Sequence, residues 1–235
     1  MSLRESINKI RATIFDKVIN YRIVKICGIA VIILYLSFLI AGVVVASIFG
    51  PSGYFIIDNW ISDLGGSPYT PAPYLYDMAC IIAGSLIMPI TYYMENLLLP
   101  IPQKNTRKFT RLRIRLTSSG FIFGLIGGLG YIGVGIFSED RSDILFGAEL
   151  HGIMSELAFV GFVLSAFFMG WYILLYKTKI PKLLGLYGVI GPFATIIIFL
   201  IESNPLWEWI LLFSILAWII PLSLIVFIKK LEPER

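Results

Sequence analysis

The sequence predicts an all-α polytopic membrane protein built as a bundle of six transmembrane helices. Of its 235 residues, 57% are hydrophobic and only 14% are charged, whereas soluble domains carry about a quarter charged residues. The mean hydropathy is +0.84, and apolar runs of spanning length take up nearly the whole chain. The net charge is +4, but the basic residues lie between the spans, as orientation signals do, which argues against a nucleic-acid partner.

Three segments follow from the hydropathy pattern. Residues 1–22 predict a cytoplasmic amphipathic helix on the membrane surface, because apolar side chains recur at steps of three and four from Leu3 to Val18, opposite Lys and Arg. An extension of the first span is the alternative. Residues 23–228 form the six-helix transmembrane domain, and residues 229–235 form a cytoplasmic tail.

The apolar runs predict spans at 23–49, 75–99, 116–137, 146–176 and 183–201, then a turn at 202–209 and a sixth span that ends at Ile228. The first run is too long for the apolar region of a signal peptide, about 7 to 15 residues, and we expect it to be retained. Gly120, Gly124 and Gly128 share one face of the third span. We therefore expect another helix of the same chain to approach that face closely.

The topology also predicts the state of the thiols and the orientation. Cys27 and Cys80 lie in opposite leaflets, too far apart for a disulfide, so we expect two free thiols. All of the 19 Lys and Arg residues except Arg141 lie in segments on one side of the bundle. The positive-inside rule therefore predicts a multi-pass protein of the cell membrane with both termini in the cytoplasm.

The polar loop at residues 58–77, DNWISDLGGSPYTPAPYLYD, carries three acids and no Lys or Arg. With residues 138–143 and the heads of the fourth and sixth spans, it predicts an acidic pocket at the outer leaflet. The acids of this pocket are Asp58, Asp63, Asp77, Glu139, Asp140 and Glu208. The alternative is that each loop acid is a turn former or a helix cap.

The only histidine, His151, lies near the head of the fourth span, and Ser155 lies one turn deeper on the same face. Glu156 is deeper still, about 15 Å from the predicted start of that helix. A carboxylate at this depth costs a few kcal/mol unless it is paired, neutralised or in contact with water. We therefore hypothesise a polar cavity that opens to the outside near His151; a purely structural histidine is the alternative.

Two kinds of chemistry are compatible with these residues. A serine hydrolase would use Ser62 or Ser155 with His151 and an acid, Asp58 or Asp63, although no G-x-S-x-G pattern is present. Carboxylates with a single His suit Mg, Mn or Ca better than zinc, so a divalent metal is a candidate cofactor. The candidate catalytic residues are Asp63, His151, Ser62, Ser155 and Glu156.

Two segments carry a family resemblance. The sequence Ile61-Ser62-Asp63-Leu64-Gly65, and residues 135–143 followed by His151-Gly152, resemble a prokaryotic family of six-span membrane proteins catalogued as a domain of unknown function. More distantly, the ISD-x-G loop, the His of span four and the Glu-Trp pair at 208–209 resemble the damage-regulated autophagy modulators and their relatives in GPI-anchor lipid remodelling. In the autophagy modulators a Thr is expected where this chain has Leu64.

The resemblance implies a site on the outer face, since the related proteins have six spans and have been linked to the handling of membrane lipids. The residues that match are Ser62, Asp63, Gly65, His151, Glu208 and Trp209. We therefore predict a protein that handles a membrane lipid or its headgroup at the acidic pocket, with membrane lipids as partners. The alternatives are a metal-assisted hydrolase or transferase that uses His151 and Asp63, and an ion or proton pathway through Glu156.

Overall fold

The computed structural model describes residues 13, 20–98, 111–142, 144–145 and 148–232. In this part of the chain, six helices are long and apolar enough to cross a membrane, which confirms the predicted all-α, six-span fold. The helices are α1 (Tyr21–Phe49), α2 (Tyr74–Leu98), α3 (Arg111–Ile136), α4 (Leu150–Leu175), α5 (Lys182–Glu202) and α6 (Pro205–Ile228). A two-residue antiparallel pairing of β1 (Ile144–Leu145) with β2 (Ala148–Glu149) leads into α4.

The starts of α1 and α6 have clear local causes. The Asn20 side chain accepts a hydrogen bond from the Ile23 N–H at 3.1 Å and caps α1. The predicted surface helix of residues 1–22 falls mostly outside the described residues. At α6, the Asn204 side chain accepts from the Trp207 N–H at 3.1 Å, and Pro205 occupies the first turn. Of the turn predicted at 202–209, only residues 203–204 lie outside helices, because α5 ends at Glu202 and α6 begins at Pro205.

Small residues let the helices approach closely. A Cβ on Gly161 of α4 would lie 2.4 Å from the backbone nitrogen of Gly127 in α3. On the other side of α3, a Cβ on Gly128 would lie 3.0 Å from the carbonyl oxygen of Gly84 in α2. The predicted close approach within one chain is therefore confirmed, and α3 lies tightly between α2 and α4.

The bundle has two chemically different ends. The acidic end comprises the loop 50–73, residues 137–142, the β1–β2 pair and the turn 203–204. The basic end comprises the start of α1, residues 176–181 and residues 229–232 after α6. At the basic end, Tyr21 donates to the Phe227 carbonyl and Tyr93 to the Leu231 carbonyl, both at 2.9 Å. Which end faces the cytoplasm stays a prediction.

The middle of the bundle contains an apolar crevice between α1 and α6, which α2, α3 and α4 also line. The crevice has a volume of about 50 Å³. Its α1 wall includes the π-helical turn Val31–Tyr35, an irregularity that often occurs at functional sites. Tyr35 and Tyr131 share a buried hydrogen bond of 2.7 Å between their hydroxyls. Cys27 and Cys80 are both free, as predicted.

Candidate functional site

The loop before α2 is anchored to the first turns of α6. The Ile61 N–H donates to Glu208 Oε2 at 2.7 Å, and the Trp209 indole N–H donates to the Asn59 carbonyl at 3.3 Å. Glu208 and Trp209 are only 7% and 2% exposed. The buried carboxyl group of Glu208 therefore holds the loop by a hydrogen bond to its backbone.

Asp63 organises the same loop from within. It lies in the short 3₁₀ turn Ser62–Gly65 and accepts the Trp60 N–H at 2.9 Å and the Asn59 side-chain amide at 3.3 Å. Burial raises the pKa of Asp63, and the hydrogen bonds from Asn59 and Trp60 oppose part of that rise. Asp63 thus has a structural task in the loop, whatever else it does.

Arg141 is the one Lys or Arg that the sequence places outside the predicted cytoplasmic segments. It is bound to Asp77 at the head of α2. Its Nη2 donates to Asp77 Oδ2 at 2.6 Å and to the Gly135 carbonyl at 3.2 Å, and its Nε donates to the Ile136 carbonyl at 3.3 Å. Asp77 is 4% exposed, so the ion pair neutralises a buried carboxylate. The positive charge of Arg141 is therefore committed to this pair.

The hydrogen bond of His151 fixes its tautomer. Nδ1 lies 2.8 Å from the Phe137 carbonyl oxygen, and because a carbonyl can only accept, Nδ1 carries the hydrogen. In the neutral ring, Nε2 then presents a lone pair. This atom is buried and lies 4.0 Å from Glu139 Oε1. In a Ser-His-Asp triad the acid accepts from Nδ1; here the Phe137 carbonyl takes that position.

Three buried polar atoms at this end have no hydrogen-bond partner within the described part of the chain: Asp77 Oδ1, Ser138 Oγ and His151 Nε2. We call them the acceptor site. A Cβ on Gly65 would lie 3.3 Å from Asp77 Oδ1 and 3.4 Å from Ser138 Cβ, so the loop covers the site at a glycine. An unsatisfied buried group costs about 1–3 kcal/mol. Two of the three atoms are acceptors and the hydroxyl can be either, so the site suits a partner that donates hydrogen bonds.

The structure places most of the residues of the predicted pocket at the acidic end. Glu139 lies against Gly66 and near His151, and Asp140 is exposed at the rim, where it accepts the Ser67 N–H at 2.9 and 3.0 Å. Asp58 is exposed, Ser62 is half-buried in the loop and Ser155 is half-buried one turn below His151. The predicted residues gathered at the acidic end are Asp63, Gly65, Asp77, Glu139, His151, Glu208 and Trp209.

Glu156 does not join them. Its side chain is exposed, on a face it shares with the exposed residues Gly152 and Val160, and a separation of five residues turns it about 140° around the helix from the buried His151. The expected cavity containing both residues is therefore not formed. Among the residues that the structure describes, no three His, Cys, Asp or Glu side chains are grouped so that they could hold a metal ion.

Two residues of the site lie in the predicted segment 138–143 but were not singled out there. Arg141 could have been, since a single cation among many outer acids is expected to pair with a buried one. Ser138 could not, because its importance comes from being fully buried between α3 and the Gly65 loop, without a partner among the described residues. A serine in an acidic loop has no sequence signal for that environment.

Comparison with known families shows the family of the chain. A family model described as a protein of unknown function, DUF998, matches residues 29–225. The matched range begins within α1 and ends within α6, so it includes parts of all six spans and the whole acidic end. No curated protein and no solved structure matches the chain.

Proposed function

Because the chain belongs to the DUF998 family of proteins of unknown function, we propose its function from the acidic end: the protein binds a membrane lipid whose headgroup donates hydrogen bonds. The acceptor site carries this proposal, since Asp77 Oδ1, Ser138 Oγ and His151 Nε2 are buried and unpartnered in the described part of the chain. Buried polar groups of this kind call for a partner.

The charges around the site define the headgroup further. Glu139, Asp63 and Glu208 lie at the same end, while Arg141 is engaged by Asp77. An anionic headgroup would meet repulsion there, whereas an ammonium group would gain both charge attraction and hydrogen bonds. The ethanolamine headgroup, with an N–H-bearing ammonium, is the simplest lipid headgroup that fits.

The crevice between α1 and α6 supports a lipid over a free amine. Glu208, Leu212, Ile215 and Ile219 follow one another at steps of three and four along α6, so they share a face. The last three line the apolar crevice. The face of α6 that carries Glu208 at the acidic end therefore continues into apolar surface, against which an acyl chain can pack.

Phosphatidylethanolamine and phosphatidylcholine provide a matched pair of ligands. Both headgroups have the same charge, but the choline nitrogen has no N–H donor. The full chain in nanodiscs that contain both lipids should retain phosphatidylethanolamine preferentially, as measured by native mass spectrometry. Equal retention of the two lipids would refute the proposal.

Ser138→Ala tests the site itself. It removes a hydroxyl without a hydrogen bond in the described structure, so the fold should be retained. One lost headgroup hydrogen bond of about 1 kcal/mol should weaken retention of phosphatidylethanolamine about fivefold. Ser155→Ala, one turn below His151 on α4, is the matched control and should leave the retention of phosphatidylethanolamine unchanged. Unchanged retention in Ser138→Ala would locate any lipid elsewhere.

A hydrolase or transferase at the same place stays a prediction, and the same experiment separates it from binding. His151 Nε2 has the lone pair that a general base needs. A retained lipid whose mass stays constant during incubation indicates binding alone. A product that appears in the wild type and not in Ser138→Ala would indicate catalysis at the acceptor site.

A further inference from the structure

The basic end contains a second cavity that the acidic-end proposal does not use. It has a volume of about 320 Å³ and lies where the ends of α2 and α4, the start of α3 and the chain after α6 meet. Its polar wall includes Arg113, Lys177 and Lys179, against one acid, Glu232. Among the described residues, the lining of the cavity is therefore net positive.

Arg113 is held in a fixed position in this wall. Its Nε donates to the Tyr172 hydroxyl at 2.7 Å, and its guanidinium carbon lies 5.5 Å from the Tyr172 ring centre and 5.3 Å from that of Tyr176. Tyr172 in turn donates to the Leu98 carbonyl. A guanidinium held against two aromatic rings is pre-organised, so its positive charge stays fixed in the cavity wall.

The two lysines are placed differently from Arg113. Lys177 and Lys179 are exposed and lie on the short connection between α4 and α5, and the Lys179 carbonyl accepts from Lys229 Nζ at 3.1 Å. This bond ties the backbone of the connection to the end of α6. The Lys179 ammonium group takes no part in the bond. The connection therefore presents two ammonium groups at the mouth of a cavity that already contains a fixed guanidinium.

The remaining wall is apolar and is formed by Leu97, Leu98, Ile180 and Leu231. Because the cavity combines cations with apolar side chains at the end of the spans, it suits an anion attached to an apolar group. Basic pockets between transmembrane helices bind anionic lipid headgroups by this combination.

We propose that this cavity binds a phosphate-bearing anion, supplied by an anionic phospholipid in the leaflet at the basic end or by a free phosphate compound. The ammonium groups of Lys177 and Lys179 contact the phosphate oxygens, and the fixed charge of Arg113 lies in the wall beside them. The apolar wall contacts the group that carries the phosphate. This site is independent of the acceptor site at the other end.

The test compares two charge-matched double variants of the full chain. Lys177→Gln with Lys179→Gln removes two exposed cations from the cavity, and Arg22→Gln with Lys25→Gln removes two exposed cations from the start of α1, outside it. Each protein is placed in phosphatidylcholine nanodiscs that contain a minor share of phosphatidylglycerol. Retained lipid is counted by native mass spectrometry.

The wild type should retain phosphatidylglycerol over phosphatidylcholine, and the cavity variant should lose about tenfold or more of that affinity. The control variant should lose less than about twofold. Equal losses in both variants would show general attraction of anionic lipid to a basic surface and would overturn the proposal.

Inorganic phosphate distinguishes the two sources of the anion. It is added to the protein in pure phosphatidylcholine nanodiscs, and the midpoint of thermal unfolding is measured. A rise that the cavity variant lacks assigns the site to a free anion, whereas retention of phosphatidylglycerol without a phosphate-induced rise assigns it to a lipid. A wild type that does neither overturns the proposal. Ser138→Ala should leave both readouts unchanged, so the two proposals fail separately.

Discussion

Glu208→Ala tests whether α6 holds the acidic end together. The Ile61 N–H is buried and donates to Glu208 Oε2 at 2.7 Å, so truncation leaves a buried donor without an acceptor. A buried donor left without a partner costs about 1–3 kcal/mol. In a chain of this length each kcal/mol shifts the unfolding midpoint by roughly 2–4 °C. We therefore expect Glu208→Ala to unfold about 2–12 °C below the wild type.

The assay is thermal unfolding of the full chain in detergent, followed by tryptophan fluorescence. Glu208→Gln keeps an oxygen that can accept the Ile61 N–H, so its loss should be under about 1 kcal/mol. Glu202→Ala, an exposed acid at the end of α5, controls for the loss of one negative charge. If Glu208→Ala unfolds at the same temperature as Glu202→Ala, the loop is not held by this carboxylate and the reasoning is wrong.

Three further predictions concern packing, pH and the lipid-facing surface. Gly161→Ala should destabilise the protein by about 1–3 kcal/mol in thermal unfolding, because its Cβ meets the α3 backbone. The control is Gly152→Ala on the same helix, whose Cβ would have nothing within 4 Å, so this variant should be neutral or slightly stabilising. Burial raises the pKa of Asp63, so the native state takes up a proton before the unfolded state does. The unfolding midpoint of the wild type should therefore rise relative to Asp63→Asn as the pH falls from 7 towards about 4, and a constant difference would contradict this. Glu156→Leu should retain the fold and raise the midpoint in nanodiscs, because the exposed carboxylate faces lipid; unfolding of this variant would mean that Glu156 has a partner.

The spans could be predicted because hydropathy depends on composition alone. The start of α1 shows the accuracy, since the helix begins two residues before the predicted position. Hydropathy does not show which face of a span turns inward. The helix α4 is apolar on nearly every side, so its sequence gives the depth of Glu156 but not its direction. The start of α6 had a signal, since Asn204 followed by Pro205 is typical of a helix N-terminus. The tautomer of His151 had no signal in the sequence, because the hydrogen-bond partner of the ring is the backbone carbonyl of Phe137.

The two proposed sites require two different molecules. The helix α2 has 25 residues and is therefore about 37 Å long, whereas one leaflet contributes about half of a hydrocarbon core of roughly 30 Å. A lipid with its headgroup at the acidic end cannot reach the basic cavity. The chemistry differs as well, because Asp77 Oδ1 and His151 Nε2 accept hydrogen bonds, while Arg113 and its neighbouring lysines donate them. Substitutions at the two ends should therefore act additively on lipid retention, and a variant at one end that releases both lipids would reveal a coupling through the α1 and α6 crevice.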